Sequence, residues 1–415
     1  MISDKIKKMY LSNDENIFIV ACSILFLIVP LPTIVLVTLV LLSNEKNSKK
    51  SWFFLFVLLA FYMGIINATK TPDADQYSYW FAFLNVPKQG FIGSLSNIYG
   101  DLYSENVGKE FMFGFLNYIG YYITFGNYQV YIFGFIVLMY MFTYAAIYKF
   151  YSVVNNRSFV IVAAVFFITF FTQYFNLTLQ LQRQFLASAI MLYALAVRAA
   201  DGKNLWWLGF LSVFTHTSMG LFLPLLFIKP LTKKLSITGI VVLAGVSVLF
   251  FAFSTQIGGL LGGSSSPLSY GFNRMAMGES NVDDTTGESL FVTYLLTIAI
   301  MTMVIFLLFK YRKVEKSPIY FTYYTIIILL IFVLTMYSQP LTQYRYFMAS
   351  YIFFPLVIPN LFQKPTLINT LCLSAITLFF FLRFFLTFEN IIWEYAPVQD
   401  IMFKNFFSLL LNKYY

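Results

Sequence analysis

The chain is poor in charge. Asp, Glu, Lys and Arg make up 11% of its 415 residues, against about a quarter in a soluble domain. So little charge excludes an ordinary water-soluble globule. There is one histidine, His216, and there are two cysteines, Cys22 and Cys372. One His and two distant Cys are too few ligands for a zinc site, so no metal is expected. Both cysteines fall in apolar stretches and read as small core residues, not as a disulfide or a nucleophile. Gly-x-Ser-x-Gly and the dinucleotide fingerprint are both missing, so no cofactor is expected. The glycines Gly258-Gly259 and Gly262-Gly263 run into Ser264–Ser266 without the Lys-Ser/Thr of a phosphate loop. They read as a flexible lid or linker. Met1–Asn16 is polar and mixed in charge, and no small-residue cleavage site follows it, so a cleavable signal is not expected.

What is present is apolar. Hydrophobic residues make up 59% of the chain and aromatics 20%. Apolar runs fall at about 17–42, 51–68, 111–125, 127–148, 158–175, 179–197, 205–228, 235–253, 290–309, 317–338, 346–361 and 366–386. A helix needs about 20 such residues to cross the hydrocarbon of a bilayer. Inside it the backbone must pair with itself. The expected fold is all-α: a polytopic integral membrane domain over 1–415 with about 10–12 segments and one or two re-entrant hairpins.

The net charge of +9 is placed as a topology signal, not as a nucleic-acid surface. Short links carry Lys46, Lys49 and Lys50, then Lys149 and Arg157, then Arg198 and Lys203. They continue with Lys229, Lys233 and Lys234, then Lys310, Arg312, Lys313 and Lys316, then Lys364. Only Glu45, Asp201 and Glu315 oppose them. By the positive-inside rule these links are cytoplasmic. Loops 69–110 and 254–289 are acidic and belong outside, in the periplasm of a bacterium. The tail 387–415 mixes aromatics with charge and is expected along the outer interface.

Parity then singles out segment 205–228. The links on both sides of it are basic, so it must enter, break and return. Thr215-His216-Thr217-Ser218 is its one polar stretch, which puts the sole histidine at the tip of a hairpin in a polar cavity. Segment 17–42 has Pro30 and Pro32 at its middle and allows either a hairpin or one kinked helix.

Polar side chains in such segments mark function by default. Gln180, Arg183, Gln184 and Ala187 recur at helical spacing after an expected outer turn at Asn176–Thr178, and so share one face. Snorkelling would explain one Arg but not a polar face. His216 offers a base or a phosphate donor. Arg345, between Tyr344 and Tyr346, suits a phosphate or a sugar ring, although an aromatic-belt anchor has the same composition. Asp73, Asp75 and Tyr77 suit sugar hydroxyls and faces, although Asp73 or Asp75 also suits a helix N-cap. All four groups open to the outer side.

These residues resemble the Wzy-type O-antigen and exopolysaccharide polymerases, in particular their EpsG-like branch. The matching motifs run in order along the chain. They are Pro72-Asp73-Ala74-Asp75-Gln76-Tyr77, Glu110-Phe111-Met112-Phe113-Gly114-Phe115-Leu116-Asn117, Arg183-Gln184-Phe185-Leu186-Ala187, Phe214-Thr215-His216-Thr217-Ser218, Tyr344-Arg345-Tyr346 and Trp393-Glu394-Tyr395-Ala396-Pro397. The family's Arg before the acidic motif has no match here, and Lys70 stands nearest. The resemblance implies an architecture like that of the GT-C glycosyltransferases. It also implies an enzyme that joins oligosaccharide repeat units carried on undecaprenyl diphosphate, with the active site facing the periplasm. Under it Arg183 and Arg345 would hold the diphosphate, and His216, Asp73 or Asp75 would serve as base. Gln180, Gln184, Tyr77, Tyr344, Tyr346, Glu110 and Ser218 would bind substrate. Partners would be the lipid-linked donor and acceptor, membrane lipids and a candidate chain-length regulator. The rivals are an O-antigen ligase and a flippase. A ligase would carry its His on a large outer loop. A flippase would spread charge through the membrane depth and often show repeats.

Overall fold

The computed structural model describes residues 2–44, 47–96, 110–154, 157–229, 285–311, 317–335, 340–390 and 395–411, with scattered positions between 233 and 253. The side chains of 2–13, 74, 285–293, 317, 335, 340–342, 345, 389 and 390 lie outside that description. Segment 235–253 therefore falls mostly outside the described residues, and so does most of loop 254–289.

Among the described residues regular structure is helical and no strand occurs. α1 (Ile2–Ile28) and α2 (Pro30–Ser43) are separated by Val29 alone. The Val29 N–H still reaches Leu25 O at 2.8 Å, and the Thr33 N–H reaches Val29 O at 3.3 Å. Reversing a helix takes about two to five loop residues. Segment 17–42 is therefore one kinked run and not a hairpin.

α3 (Lys49–Ala68) begins at Ser48, whose hydroxyl accepts the Ser51 N–H. α4 (Ala74–Leu84) and α5 (Val86–Ser96) lie within 69–110, and α6 (Phe111–Ile123) follows. Then come α7 (Tyr128–Val154), α8 (Ser158–Thr169), α9 (Thr172–Gln180), α10 (Gln182–Asp201) and α11 (Trp206–Thr215). Two 3-10 turns, Thr217–Leu221 and Leu223–Leu226, complete the segment. Beyond the sparsely described region lie α12 (Thr285–Lys310), α13 (Ser317–Thr335), α14 (Pro340–Ser350), α15 (Phe354–Leu361), α16 (Leu367–Asn390), α17 (Val398–Phe403) and α18 (Phe406–Leu411).

Four described helices are long and apolar enough to cross a membrane: α3, α7, α10 and the Leu367–Phe388 stretch of α16. α8 and α9, bent by 50° at their junction, are together apolar enough for a fifth span, broken or re-entrant. Other expected segments are shorter apolar helices, such as Pro30–Ser43, Pro318–Leu334 and Tyr346–Leu361. α7 sits at the centre, packed along α3 on one side and α10 on the other. α16 has its outer face bare, with Leu371, Leu378, Phe379 and Leu386 exposed. A soluble protein would hide such a stripe; lipid covers it without penalty.

The basic links gather at one end. Asn47 Nδ2 donates to Ser158 Oγ at 2.8 Å. Lys149 pairs with Asp201 at 2.7 Å. Arg157 donates to Gln363 O at 2.5 Å and Lys310 to Leu361 O at 3.1 Å. The far ends of α3, α7 and α10 lie across the bundle. α10 has 20 residues, which separates its two ends by about 30 Å.

One expectation fails here. Asn176–Thr178 is no turn but the interior of α9. The Thr178 hydroxyl donates to Phe175 O at 2.6 Å, a back-bond that a helix accommodates. The break comes at Leu181, with φ −117 and ψ 45. Gln180 closes α9 and Arg183 opens α10, so the two do not share a helical face.

The tail packs into the bundle. Tyr395, Ala396, Ile401 and Leu409 are buried. The Tyr62 hydroxyl donates to Ile401 O at 3.1 Å, and Phe406 meets Phe26 and Phe61.

Candidate functional site

Three elements meet at the end opposite the basic links. The first is the start of α6, preceded by Glu110, which is buried. Gly114 sets its position. A Cβ there would stand 2.1 Å from the Ser94 backbone oxygen of α5. Backbone cannot yield, so only glycine lets α6 approach this closely.

The second is the start of α10. Arg183 lies in its first turn, where backbone N–H groups point off the helix end and the dipole is positive. The guanidinium pairs through Nη1 with Glu110 Oε2. Its Nε donates to the Tyr79 hydroxyl at 3.4 Å, and its carbon lies 5.6 Å over the Tyr79 ring.

The third is the tip of segment 205–228. α11 ends at His216, whose backbone turns extended, and the chain returns through the two 3-10 turns. Leu223 and Leu226 come back onto Gly209. The segment is therefore a broken hairpin with His216 at its tip, as parity required. The Ser212 hydroxyl donates to Ala187 O at 2.7 Å, which locks α11 across α10. Thr217 then donates to Glu110 Oε1 twice, through its N–H at 3.0 Å and its hydroxyl at 3.2 Å. His216 Nε2 stands 3.9 Å from the same oxygen.

Glu110 is thus the hub, with donors from α10 and the hairpin converging on it. Burial pushes its carboxyl up to about 7, against the two Thr217 bonds, which favour the charged form. The site opens to the surface at Thr217, which is exposed, while His216 and Ser218 are half-buried. Among the described residues no three His, Cys, Asp or Glu side chains gather as metal ligands.

The sequence matches the EpsG family model over residues 51–397, well over half of its length. The chain belongs to the EpsG family. No curated protein and no solved structure matches it. Membership supports a polysaccharide-polymerase-like role for this multi-pass helical protein. The matched stretch contains every element of the site just described.

Other candidate residues of this EpsG-family chain lie elsewhere. Asp73 is engaged by Lys70, which is itself buried over the Tyr395 ring at 5.8 Å. Asp75 is exposed in the first turn of α4. Neither touches the Arg183–Glu110 group among the described residues. Tyr77 is 47% exposed and packs on Trp80. Gln184 is buried on α10 beside Arg183, and Gln180 ends α9. Ser218 bonds to His216. Tyr344 and Tyr346 lie on α14, which packs on α10. Tyr346 meets Phe332, against which Leu221 of the returning hairpin also packs. Arg345 is on the same helix, but its side chain lies outside the described residues.

Three contributors lie inside the stretches the sequence singles out but are not among the candidate site residues. Tyr79 has its ring under Arg183. Its two-residue offset from Tyr77, which puts the two on different helix faces, was a usable signal. Thr217 acts through its hydroxyl and also through its backbone N–H, which no side-chain pattern reveals. Gln182, between the two glutamines singled out, is fully buried and donates to the Tyr128 hydroxyl at 3.3 Å.

Proposed function

We propose that the protein joins lipid-linked oligosaccharide repeat units into a surface polysaccharide, at the outer face of the bacterial cytoplasmic membrane. The carrier is a polyprenyl diphosphate of the undecaprenyl type. The acceptor's sugar hydroxyl attacks the anomeric carbon of the donor chain and the lipid diphosphate leaves. The observation that carries this reading is the convergence of Arg183, the start of α10 and His216 beside the Glu110 carboxylate. A departing diphosphate needs fixed positive charge and oriented N–H groups in a site screened from water. The position of that point opposite the basic links supports an outward-facing site. Arg345 would add a second cation from α14, and Gln184, Tyr77, Tyr344, Tyr346 and Ser218 would bind glycan. Asp73 and Asp75 sit on the α4 side, where they would line the acceptor's path.

The test is an assay of purified protein in lipid nanodiscs, given undecaprenyl-diphosphate-linked repeat units. Wild type is expected to build a ladder of longer glycans, and Arg183→Ala none. A ladder unchanged by Arg183→Ala would overturn the site. Transfer only to lipid A core would make the protein a ligase.

A further inference from the structure

Within that proposed transfer, the structure divides the labour between His216 and Glu110. His216 closes α11 and at the same time caps the 3-10 turn Thr217–Leu221. As the cap its Nδ1 accepts the Ser218 backbone N–H at 3.3 Å, and Ser218 Oγ lies 2.6 Å from the same nitrogen. A backbone N–H can only donate. A proton on Nδ1 would point at that N–H, so the ring carries its proton on Nε2. The sole histidine therefore offers its donor at Nε2, which stands 3.9 Å from the Glu110 carboxylate.

Glu110 has the complementary capacity. Its Oε1 takes both Thr217 donors and its Oε2 takes Arg183 Nη1. An ionised carboxylate offers about four acceptor positions, so one on Oε2 stays open among the described residues. The two Asp candidates do not compete for this place, since Asp73 is held by Lys70 and Asp75 lies exposed.

We propose that His216 is an Nε2–H donor to the leaving diphosphate, and that Glu110 takes the proton of the attacking sugar hydroxyl. In the transfer the hydroxyl oxygen bonds to the donor's anomeric carbon. The bond from that carbon to the diphosphate oxygen breaks, and its electron pair leaves with the diphosphate. The hydroxyl proton passes to Glu110 Oε2 and from there to water. Arg183 and His216 Nε2–H meet the charge that develops on the leaving group. Among the described residues the groups facing Glu110 are Arg183 from α10 and His216 with Thr217 from the hairpin, with the Tyr79 hydroxyl of α4 behind Arg183. A carboxyl raised by burial is suited to a base working near neutral pH. Activity needs the ionised form, so it should rise with pH through the titration of Glu110.

Because the chain has one histidine, ring-15N labelling reports on His216 alone. In nanodiscs the wild type is expected to show Nδ1 as an unprotonated acceptor and Nε2 as protonated. Ser218→Ala keeps the backbone N–H that caps the turn and should leave both signals in place. Glu110→Gln keeps an acceptor oxygen for Thr217 or Arg183. It should fold with the histidine signals intact, lose about 10²–10⁴-fold in rate and lose the acidic limb of the pH profile. Glu110→Asp should restore part of the rate and the limb. A protonated Nδ1 in the wild type, or an acidic limb that survives in Glu110→Gln, would overturn the proposal. A protein with the expected histidine signals that lengthens no glycan would instead overturn the polymerase reading and leave the tautomer standing.

Discussion

The bundle buries two cation–carboxylate pairs with the same outline and different consequences. Arg183–Glu110 and Lys70–Asp73 each set a cation over a tyrosine ring, at 5.6 Å for Tyr79 and 5.8 Å for Tyr395. Lys70–Asp73 is local, three residues apart, and its carboxylate is 30% exposed. Around it the Ala396 N–H donates to Thr69 Oγ1 at 3.2 Å, so the cluster ties the returning tail to the end of α3. Arg183–Glu110 joins residues 73 apart, both sides nearly closed to solvent, and adds the hairpin tip to the same carboxylate. The local pair is a strut. The distant pair gathers donors around a point that opens to the surface. A buried ion pair is weak evidence of stability; what distinguishes these two is what else reaches the carboxylate.

The largest expected effect breaks the comparison directly. Arg183→Met leaves Glu110 buried without its cation, which should cost about 3–5 kcal/mol of stability. Lys70→Met leaves Asp73 able to hydrate, and should cost about 1–2 kcal/mol. The doubles Arg183→Met/Glu110→Gln and Lys70→Met/Asp73→Asn should both regain most of the melting temperature lost by their single variants. Polymer formation should return only in the Lys70 double. If it returned in the Arg183 double, the two pairs would be struts alike.

An intermediate effect sharpens the role of the loop that delivers Glu110. In Gly114→Ala the new methyl meets the Ser94 carbonyl, and α6 must slide away from α5. Overpacking of this kind costs about 1–3 kcal/mol. Glu110 should lose register with Thr217, so kcat should fall more steeply than stability. The Lys70–Asp73 cluster should stay intact, as read by protease resistance of the tail. Full activity in Gly114→Ala would show that α6 does not fix the carboxylate.

These contrasts also show what the sequence could reveal. Apolar length and the placement of Lys and Arg gave the helical fold and the gathering of basic links at one end. Parity gave the broken hairpin at His216, because a segment flanked by two basic links cannot cross once. Helical spacing failed at Leu181, where a single residue leaves helical φ and ψ without any glycine or proline to announce it. It therefore placed Gln180 on the face of Arg183, which the bend removes. The role of Glu110 was hidden for another reason. Its partners lie 73 and 107 residues away in sequence, and no local pattern encodes a contact made by packing α6, α10 and a hairpin together.

The smallest effect bears on how Arg183 is held. Tyr79→Phe keeps the ring under the guanidinium and removes the hydroxyl that accepts from Nε. At 3.4 Å that bond is long, and losing a charge-assisted bond of this kind should cost about 1 kcal/mol or less. The corresponding change is roughly fivefold in whichever kinetic parameter it touches. If Tyr79 only steadies Arg183, kcat and KM should move slightly together and the pH profile should keep its shape. A drop in kcat alone by about two orders of magnitude, the size expected of an acid–base group, would put the Tyr79 hydroxyl in contact with the reacting sugar. The local pair provides the control, since Tyr395 is the ring under Lys70. Tyr395→Phe should leave both parameters where they are, and any loss of polymer there would mean that the strut, too, reaches the glycan.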